Sequence, residues 1–364
     1  MPKSQAPPRL FEPIQLRSLA VAHRLWVAAM CQYSAIRGVV QPWHLVHLGS
    51  FAIGRAGLIV TEATAVSPEG RISSGDAGIW TEEQAKAWEP VVEFVHQQET
   101  PIAVQLAHAG RKASTRPPFQ GRGYLPADEG GWATVGPSTV PFGELPDPTA
   151  LTTADIAGVI DDFACAASRA VASGFDAVEI HAAHGYLQHQ FLSSLSNRRE
   201  DDYGGSYENR TRIVRETVVA VRGVIPDTMP LFIRLSATDW VEGGWSLEDT
   251  KRLVPVLRAL GVDFVSISSA GNDHRQEIPV GPGYQLPLAR AVRESAGIPV
   301  GAAGLITEPR QAETALVDGG ADVIFAARQF LREPGFALRA AAELGGFLEW
   351  PRQYRMARFE GSIP

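Results

Sequence analysis

The chain has 364 residues, 45% of them hydrophobic and 20% charged, with a formal net charge of −7 and a pI near 5.8. This composition fits a folded globular enzyme and excludes fibrous and disordered classes. No basic stripe interleaved with aromatics marks a nucleic-acid surface. Two cysteines, Cys31 and Cys165, are too few for a disulfide scaffold, an iron–sulfur cluster or a cysteine-rich zinc site, and point to a reducing compartment. The opening MPKSQAPPRLFEP lacks the apolar core of a signal peptide, and no apolar run reaches bilayer length, so no membrane association and a cytoplasmic location are expected.

In chain order, eight short apolar, β-branched runs are predicted as strands, at 24–28, 57–63, 101–107, 176–183, 230–237, 263–270, 299–306 and 321–328. Glycine precedes several of them, as suits a helix C-cap before the next strand. Amphipathic periodicity predicts helices over 152–173, 207–224, 247–260 and 308–317, with Thr153, Ser206, Ser246 and Thr307 as N-caps. Cys165 falls mid-helix among alanines and is expected in the core.

This alternation predicts an α/β fold, one (β/α)8 TIM-barrel domain spanning 1–364, with a doubly wound sheet as the alternative that shares its local signals. Two long loops, 111–150 and 187–206, interrupt the pattern after strands 3 and 4, on the face where barrel enzymes build substrate sites. The first is rich in Gly and Pro and includes Gly121-Arg122-Gly123.

The fourth strand ends in His181-Ala182-Ala183-His184-Gly185-Tyr186. Two imidazoles and a phenol at a strand end can polarise an oxygen and deliver a proton. They can equally be structural histidines, or the start of a zinc site completed by His44, His47, Asp239 or Glu242. Cys31 follows the first strand, where a thiol is either a small hydrophobe or a group facing a cofactor. Gly301-Ala302-Ala303-Gly304 and Ala326-Ala327-Arg328 close the last two strands. Small residues there let backbone N–H groups reach an anion, and Arg328 adds charge. Gln105 and Arg234 are polar groups inside apolar strands and need partners, either a flat polar cofactor or an internal ion pair. No GxGxxG follows the first strand, which argues against a Rossmann dinucleotide site.

Taken in order, several segments together resemble the Old Yellow Enzyme family of flavin-dependent ene-reductases, in its thermophilic-like and xenobiotic reductase branch. They are Leu10-Phe11-Glu12-Pro13, Met30-Cys31-Gln32-Tyr33, Glu62-Ala63-Thr64-Ala65-Val66, Gly70-Arg71-Ile72, Gln105-Leu106-Ala107-His108-Ala109-Gly110-Arg111-Lys112, the His181–Leu187 run, Ser196-Asn197-Arg198 and Tyr203-Gly204-Gly205-Ser206-Tyr207-Glu208-Asn209-Arg210. The resemblance implies a TIM barrel with FMN at its C-terminal mouth and no metal. Ala28, Ala29, Met30 and Cys31 would lie along the flavin, Ala63 and Gln105 would contact its ring, and Arg234 would face its N1–C2 carbonyl side. Gly304, Ala327 and Arg328 would hold the phosphate.

The resemblance further implies ping-pong hydride transfer from NADPH, through the flavin, to the β-carbon of an α,β-unsaturated carbonyl or nitro compound. His181 and His184 would bind the substrate oxygen, Tyr186 would donate the proton, and Tyr33 would help grip the substrate. Three positions depart from the family pattern: Ala29 replaces a common proline, Ala327 a common glycine, and Leu338, followed by Arg339, the arginine that a neighbouring subunit can lend. Trp350-Pro351-Arg352-Gln353-Tyr354 resembles the branch's tail, so a homodimer or homotetramer is expected, with residues 346–364 at a subunit interface.

Overall fold

A computed structural model describes residues 7–121 and 123–359; Arg122 of the glycine-rich loop, the opening 1–6 and the tail end 360–364 lie outside the described residues. The eight barrel strands are β1 (Leu25–Val27), β2 (Ile59–Ala65), β3 (Ile102–Ala107), β4 (Ala177–Ala182), β5 (Leu231–Ser236), β6 (Phe264–Ser268), β7 (Val300–Ala302) and β8 (Val323–Ala326). All pair in parallel, and β8 closes onto β1. Around them run α1 (Pro42–Ile53), α2 (Glu82–Gln97), α3 (Thr153–Ala172), α4 (Arg212–Val224), α5 (Leu247–Ala259), α6 (Leu286–Ala296), α7 (Pro309–Val317) and α8 (Phe336–Leu344). This is the TIM barrel, and closure rules out the doubly wound sheet. Among the described residues no helix is long and apolar enough to cross a membrane.

Side chains alternate along a strand, so each strand presents every second residue to the barrel interior. At the bottom of the barrel, Trp26, Phe232, Phe264 and Phe325 fill the axis, with ring centroids 5.1 to 6.1 Å apart. These large groups meet small ones: Ala103, Ala177, and Gly301, where an added Cβ would stand 2.5 Å from Phe325. Two residues further along the same strands, the inward groups turn polar, as Gln105, Glu179, Arg234 and Ser266. Another two residues bring His181, Ser236 and Ser268 to the rim. The period of two thus leads from an aromatic plug, through a buried polar layer, to the mouth. The outward residues of the strands, such as Val104, Ile180 and Ile233, pack beneath the helices.

Several local expectations change. The hairpin of Ile14–Leu16 and Leu19–Val21 was not foreseen; Ile14, Leu16 and Val21 join the aromatic cluster and close the bottom of the barrel. Strand β7 stops at Ala302 and not at 306, because Gly304 (φ 128°) and Leu305 (φ 54°) turn the chain out of the ladder. The 207–224 helix divides at Thr211 into Tyr207–Arg210 and α4.

Ser206 and Ser246 are N-caps, their hydroxyls accepting from Asn209 N and Asp249 N. For α3 the cap is Thr152, not Thr153: its hydroxyl accepts the Asp155 N–H at 3.2 Å. For α7 it is Glu308, not Thr307, with Pro309 at the first helical position, where its missing N–H costs nothing. Cys165 is exposed, because the buried stripe of α3 runs through Ile156, Val159, Phe163, Ala166, Ala167 and Ala170 and passes it by.

Candidate active site

The histidine pair is built where β4 ends. His181 is the strand's inward residue and is 3% exposed. The chain then turns left-handed at His184 (φ 59°) and Gly185 (φ 71°). Glycine is required at 185, because an added Cβ would meet Gly271 O at 2.1 Å. The His184 N–H donates to Ser236 Oγ at 2.9 Å. His181 Nδ1 accepts the Ala183 N–H at 3.2 Å, and its Nε2 stands 3.2 Å from His184 Nδ1. On the far side of the second ring, His184 Nε2 lies 2.7 Å from Ser268 Oγ. The Tyr186 ring stands edge-on to His181 with centroids 4.9 Å apart.

Burial, with the Arg234 guanidinium adding to it, holds both imidazoles well below the usual histidine range. They are therefore neutral hydrogen-bonding groups at pH 7. Burial, then the neighbouring Cys31 and Tyr33, pushes the Tyr186 phenol well up, so it keeps its proton. Lys112 Nζ donates to His184 O and Gly271 O, both at 2.8 Å, and stands 5.3 Å from the Tyr186 ring centroid. Burial lowers this ammonium to about 7.

Cys31 and Tyr33 lie past β1 in a stretch without regular structure. The Cys31 thiol lies beside the Tyr33 side chain and near the Ala63 backbone. Burial raises the thiol, so it is a neutral S–H and not a reactive thiolate. Ala28 is buried, whereas Ala29 and Met30 are half-buried and lead into this stretch. Ala63 on β2 pairs in register with Gln105 on β3. Gln105 Nε2 donates to Glu179 Oε1 at 2.7 Å, which fixes the amide and leaves its Oε1 and second N–H for a ligand. Arg234 forms no ion pair among the described residues, which answers the internal-pair alternative.

A cleft of about 270 Å³ opens between the ends of β6, β7 and β8. His184 and Arg234 line one part of it, and Gly304, Ala327 and Arg328 another. The residues present fit FMN. Arg234 Nε and Gln285 Oε1 are buried without a partner, as groups awaiting a polar ring are. At Gly304 an added Cβ would stand 3.2 Å from the Tyr284 ring, in the turn where backbone must approach a phosphate closely. Ala327 in place of glycine is accommodated: it precedes the short helix Arg328–Arg332 with φ at −110°.

The zinc alternative fails on geometry. Among the described residues no three His, Cys, Asp or Glu side chains gather into a ligand set. His44 faces Glu62 at 3.1 Å, His47 packs on Phe51, and Asp239 pairs with His189 at 2.9 Å. Leu338 is buried, and Arg339 is taken up within its own chain by Glu333 at 2.8 Å and Glu343 at 2.6 Å. Sequence reading missed Glu179, Ser268 and the clamp formed by Lys112. Glu179 had a signal, two residues before His181 on the same strand face; Ser268 had none, because only closure of the barrel brings β6 beside β4's turn.

A closed barrel whose cleft after the last two strands is lined by Gly304, Ala327 and Arg328, with Arg234 unpaired among the described residues on the same cleft, fits a cofactor-dependent barrel enzyme. Residues 9–345 match the NADH:flavin oxidoreductase / NADH oxidase family. An NADPH dehydrogenase of Geobacillus thermodenitrificans is 43% identical over 348 residues, covering 95% of this chain and 97% of the relative. An NADH:flavin oxidoreductase of Gibberella zeae is 43% identical over 356 residues, covering 93% of this chain and 86% of the relative. The structure of morphinone reductase in complex with tetrahydroNAD superposes with a TM-score of 0.76 at 30% identity, over 94% of this chain and 92% of that one. The chain belongs to the NADH:flavin oxidoreductase / NADH oxidase family, the Old Yellow Enzyme type of FMN-dependent oxidoreductase.

Proposed function

We propose that the protein is an ene-reductase that passes hydride from NADPH to the β-carbon of α,β-unsaturated carbonyl or nitro compounds. The observation that carries this reading is the convergence of His181 Nε2 and His184 Nδ1, 3.2 Å apart, on one point at the mouth with Tyr186 against them. FMN, held by Arg234, Gln105, Gly304, Ala327 and Arg328, would supply the hydride-transfer chemistry.

The chain's own residues supply position, field and proton. His181 Nδ1 is occupied as an acceptor, so its hydrogen is on Nε2, facing the convergence point. Without substrate the 3.2 Å contact lets only one of the two facing nitrogens carry a hydrogen, so His184 Nδ1 accepts from His181 Nε2. With a substrate oxygen between them, a Ser268 hydroxyl donating to His184 Nε2 would put the hydrogen of His184 on Nδ1, facing the same point. A substrate oxygen there receives two neutral N–H donors, whose hold strengthens as that oxygen gains negative charge. Tyr186, kept protonated by burial, gives its proton to the α-carbon. Arg234 would favour negative charge on the cofactor's ring, Gln105 would hydrogen-bond it, and Gly304, Ala327 and Arg328 would hold the phosphate. Ala28, Ala29, Met30 and Cys31 would contact the ring, with the Cys31 thiol tuning its potential, and Tyr33 would help grip the substrate. A homodimer or homotetramer is part of the proposal, supported by the exposed Tyr354, Met356 and Phe359 of the tail.

Purified protein should be yellow, bleach anaerobically with NADPH and regain its colour with 2-cyclohexenone. A colourless protein that cannot be reconstituted with FMN contradicts the proposal. Tyr186→Phe should slow the oxidative half-reaction by about 10²–10⁴-fold while NADPH reduction stays near the parent rate. Equal slowing of both halves would remove Tyr186 as the acid.

A further inference from the structure

The Met30–Ser34 stretch carries Cys31 and Tyr33 on backbone outside any strand or helix. Its N–H groups must find partners elsewhere. Tyr33 is also left-handed, at φ 53°, a conformation that persists only when the surroundings impose it. Two contacts from outside the stretch and one within it meet at Gln32, between Cys31 and Tyr33. The Gln32 N–H donates to Glu62 Oε2 at 3.0 Å. Its side-chain Oε1 accepts from Trp43 Nε1 at 3.1 Å, and its Nε2 donates back to Met30 O at 2.9 Å.

Glu62 is 4% exposed and sits where the β2–β3 register shifts between Val60 and Ala63. Bulges of this kind re-aim a side chain. Its other oxygen, Oε1, lies 3.1 Å from His44 Nε2 in the first turn of α1, along a line too bent for a full hydrogen bond. His44 Nδ1 accepts the Gln41 N–H at 2.9 Å and stands farther, 3.2 Å, from Gln41 O; the shorter bond favours the tautomer with the ring's hydrogen on Nε2, on the side of the carboxylate. Trp43 and His44 are consecutive, so the start of α1 grips Gln32 directly and also through Glu62.

We propose that Glu62, oriented by His44, is a positioning residue that fixes Cys31 and Tyr33 against the cofactor and substrate. This rests on the roles given to those two residues under the proposed function. Glu62 touches no substrate itself; it acts through the Gln32 N–H.

The test separates this role from simple helix capping, because asparagine and glutamine each copy one nitrogen of histidine. His44→Asn keeps an acceptor where Nδ1 caps Gln41 and loses the group facing Glu62. His44→Gln keeps a donor where Nε2 faces Glu62 and loses the cap. FMN-loaded parent, both variants, Glu62→Gln, Trp43→Phe and a Cys31→Ala reference are compared for flavin midpoint potential and for 4-chlorophenol affinity, read from the charge-transfer band.

His44→Asn and Glu62→Gln should weaken 4-chlorophenol binding about tenfold and move the potential toward that of Cys31→Ala, while His44→Gln stays within about twofold of the parent. Trp43 is exposed, so Trp43→Phe tests the same clamp without threatening the fold, and should weaken phenol binding about threefold. The proposal is overturned if His44→Asn matches the parent while His44→Gln is impaired. It is equally overturned if the variants lower only the melting temperature, with potential and phenol affinity unchanged. A parent protein that gives no charge-transfer band with 4-chlorophenol would instead count against the roles of Cys31 and Tyr33, whatever the variants do.

Discussion

Gln105 Nε2 donates to Glu179 Oε1 across 2.7 Å inside the barrel, and the second oxygen of Glu179 is buried with no partner. The bond sets the orientation of the Gln105 amide. Burial raises the Glu179 carboxyl. Glu179→Leu should weaken FMN binding about tenfold, measured by flavin fluorescence, because the amide is then free to turn over. It should also lower the melting temperature, since it leaves the buried Gln105 N–H without an acceptor and removes the carboxylate that acts on Arg234. A variant that melts earlier but holds FMN as tightly as the parent would show that Glu179 supports the fold and not the amide.

Ser268 is the partner that decides which nitrogen of His184 carries its hydrogen. Ser268→Ala should weaken phenol binding about tenfold with FMN content unchanged, because one of two converging donors loses its fixed tautomer. His181→Ala deletes a donor outright and should cost about 10²–10³ in turnover with enones. If Ser268→Ala binds phenols like the parent, the hydroxyl does not orient the ring.

Asp76 supplies a pH dependence of stability. It is buried, accepts from Ile72 N at 2.8 Å and Ser73 Oγ at 2.7 Å, and burial pushes its carboxyl up to about 7. A raised acid binds more protons folded than unfolded, so its contribution is full below the ordinary aspartate range, near 3.8, and is lost as pH rises through about 7. The melting-temperature advantage of the parent over Asp76→Asn should therefore be larger at pH 5 than at pH 8. An advantage that is flat or grows with pH would contradict the raised carboxyl.

Trp26 anchors the plug at the barrel bottom, fully buried, with its Nε1 donating to His23 O at 2.9 Å. Trp26→Ala should cost about 3–5 kcal/mol, read as a fall in the melting temperature of the holoenzyme. The small neighbours Ala103 and Ala177 cannot grow to fill the space. A loss below about 1 kcal/mol would mean the plug collapses freely.

Much of the candidate site was legible because barrel chemistry gathers at strand ends, and each such end carries a local mark: the paired histidines after β4, the Gly-Ala turn after β7, Ala327-Arg328 after β8, the lone polar groups in β3 and β5. The errors have equally local causes. Cys165 was misplaced because an alanine-rich helix hides which stripe is buried, and the N-terminal hairpin was missed because its strands span only Ile14–Leu16 and Leu19–Val21.

By itself the sequence determined the alternation of strand and helix, the order of the elements and the chemical types available at each strand end. Hydrophobic period and capping residues act over a few neighbours and need no fold to be read. Only the tertiary structure decided the partnerships: that His184 leans on Ser268, that Glu179 takes the Gln105 amide, and that His44 is bound to Glu62 and not to a metal. These pairs lie 84, 74 and 18 positions apart in the chain. Nothing local can specify such contacts; the closure of the barrel brings each pair together.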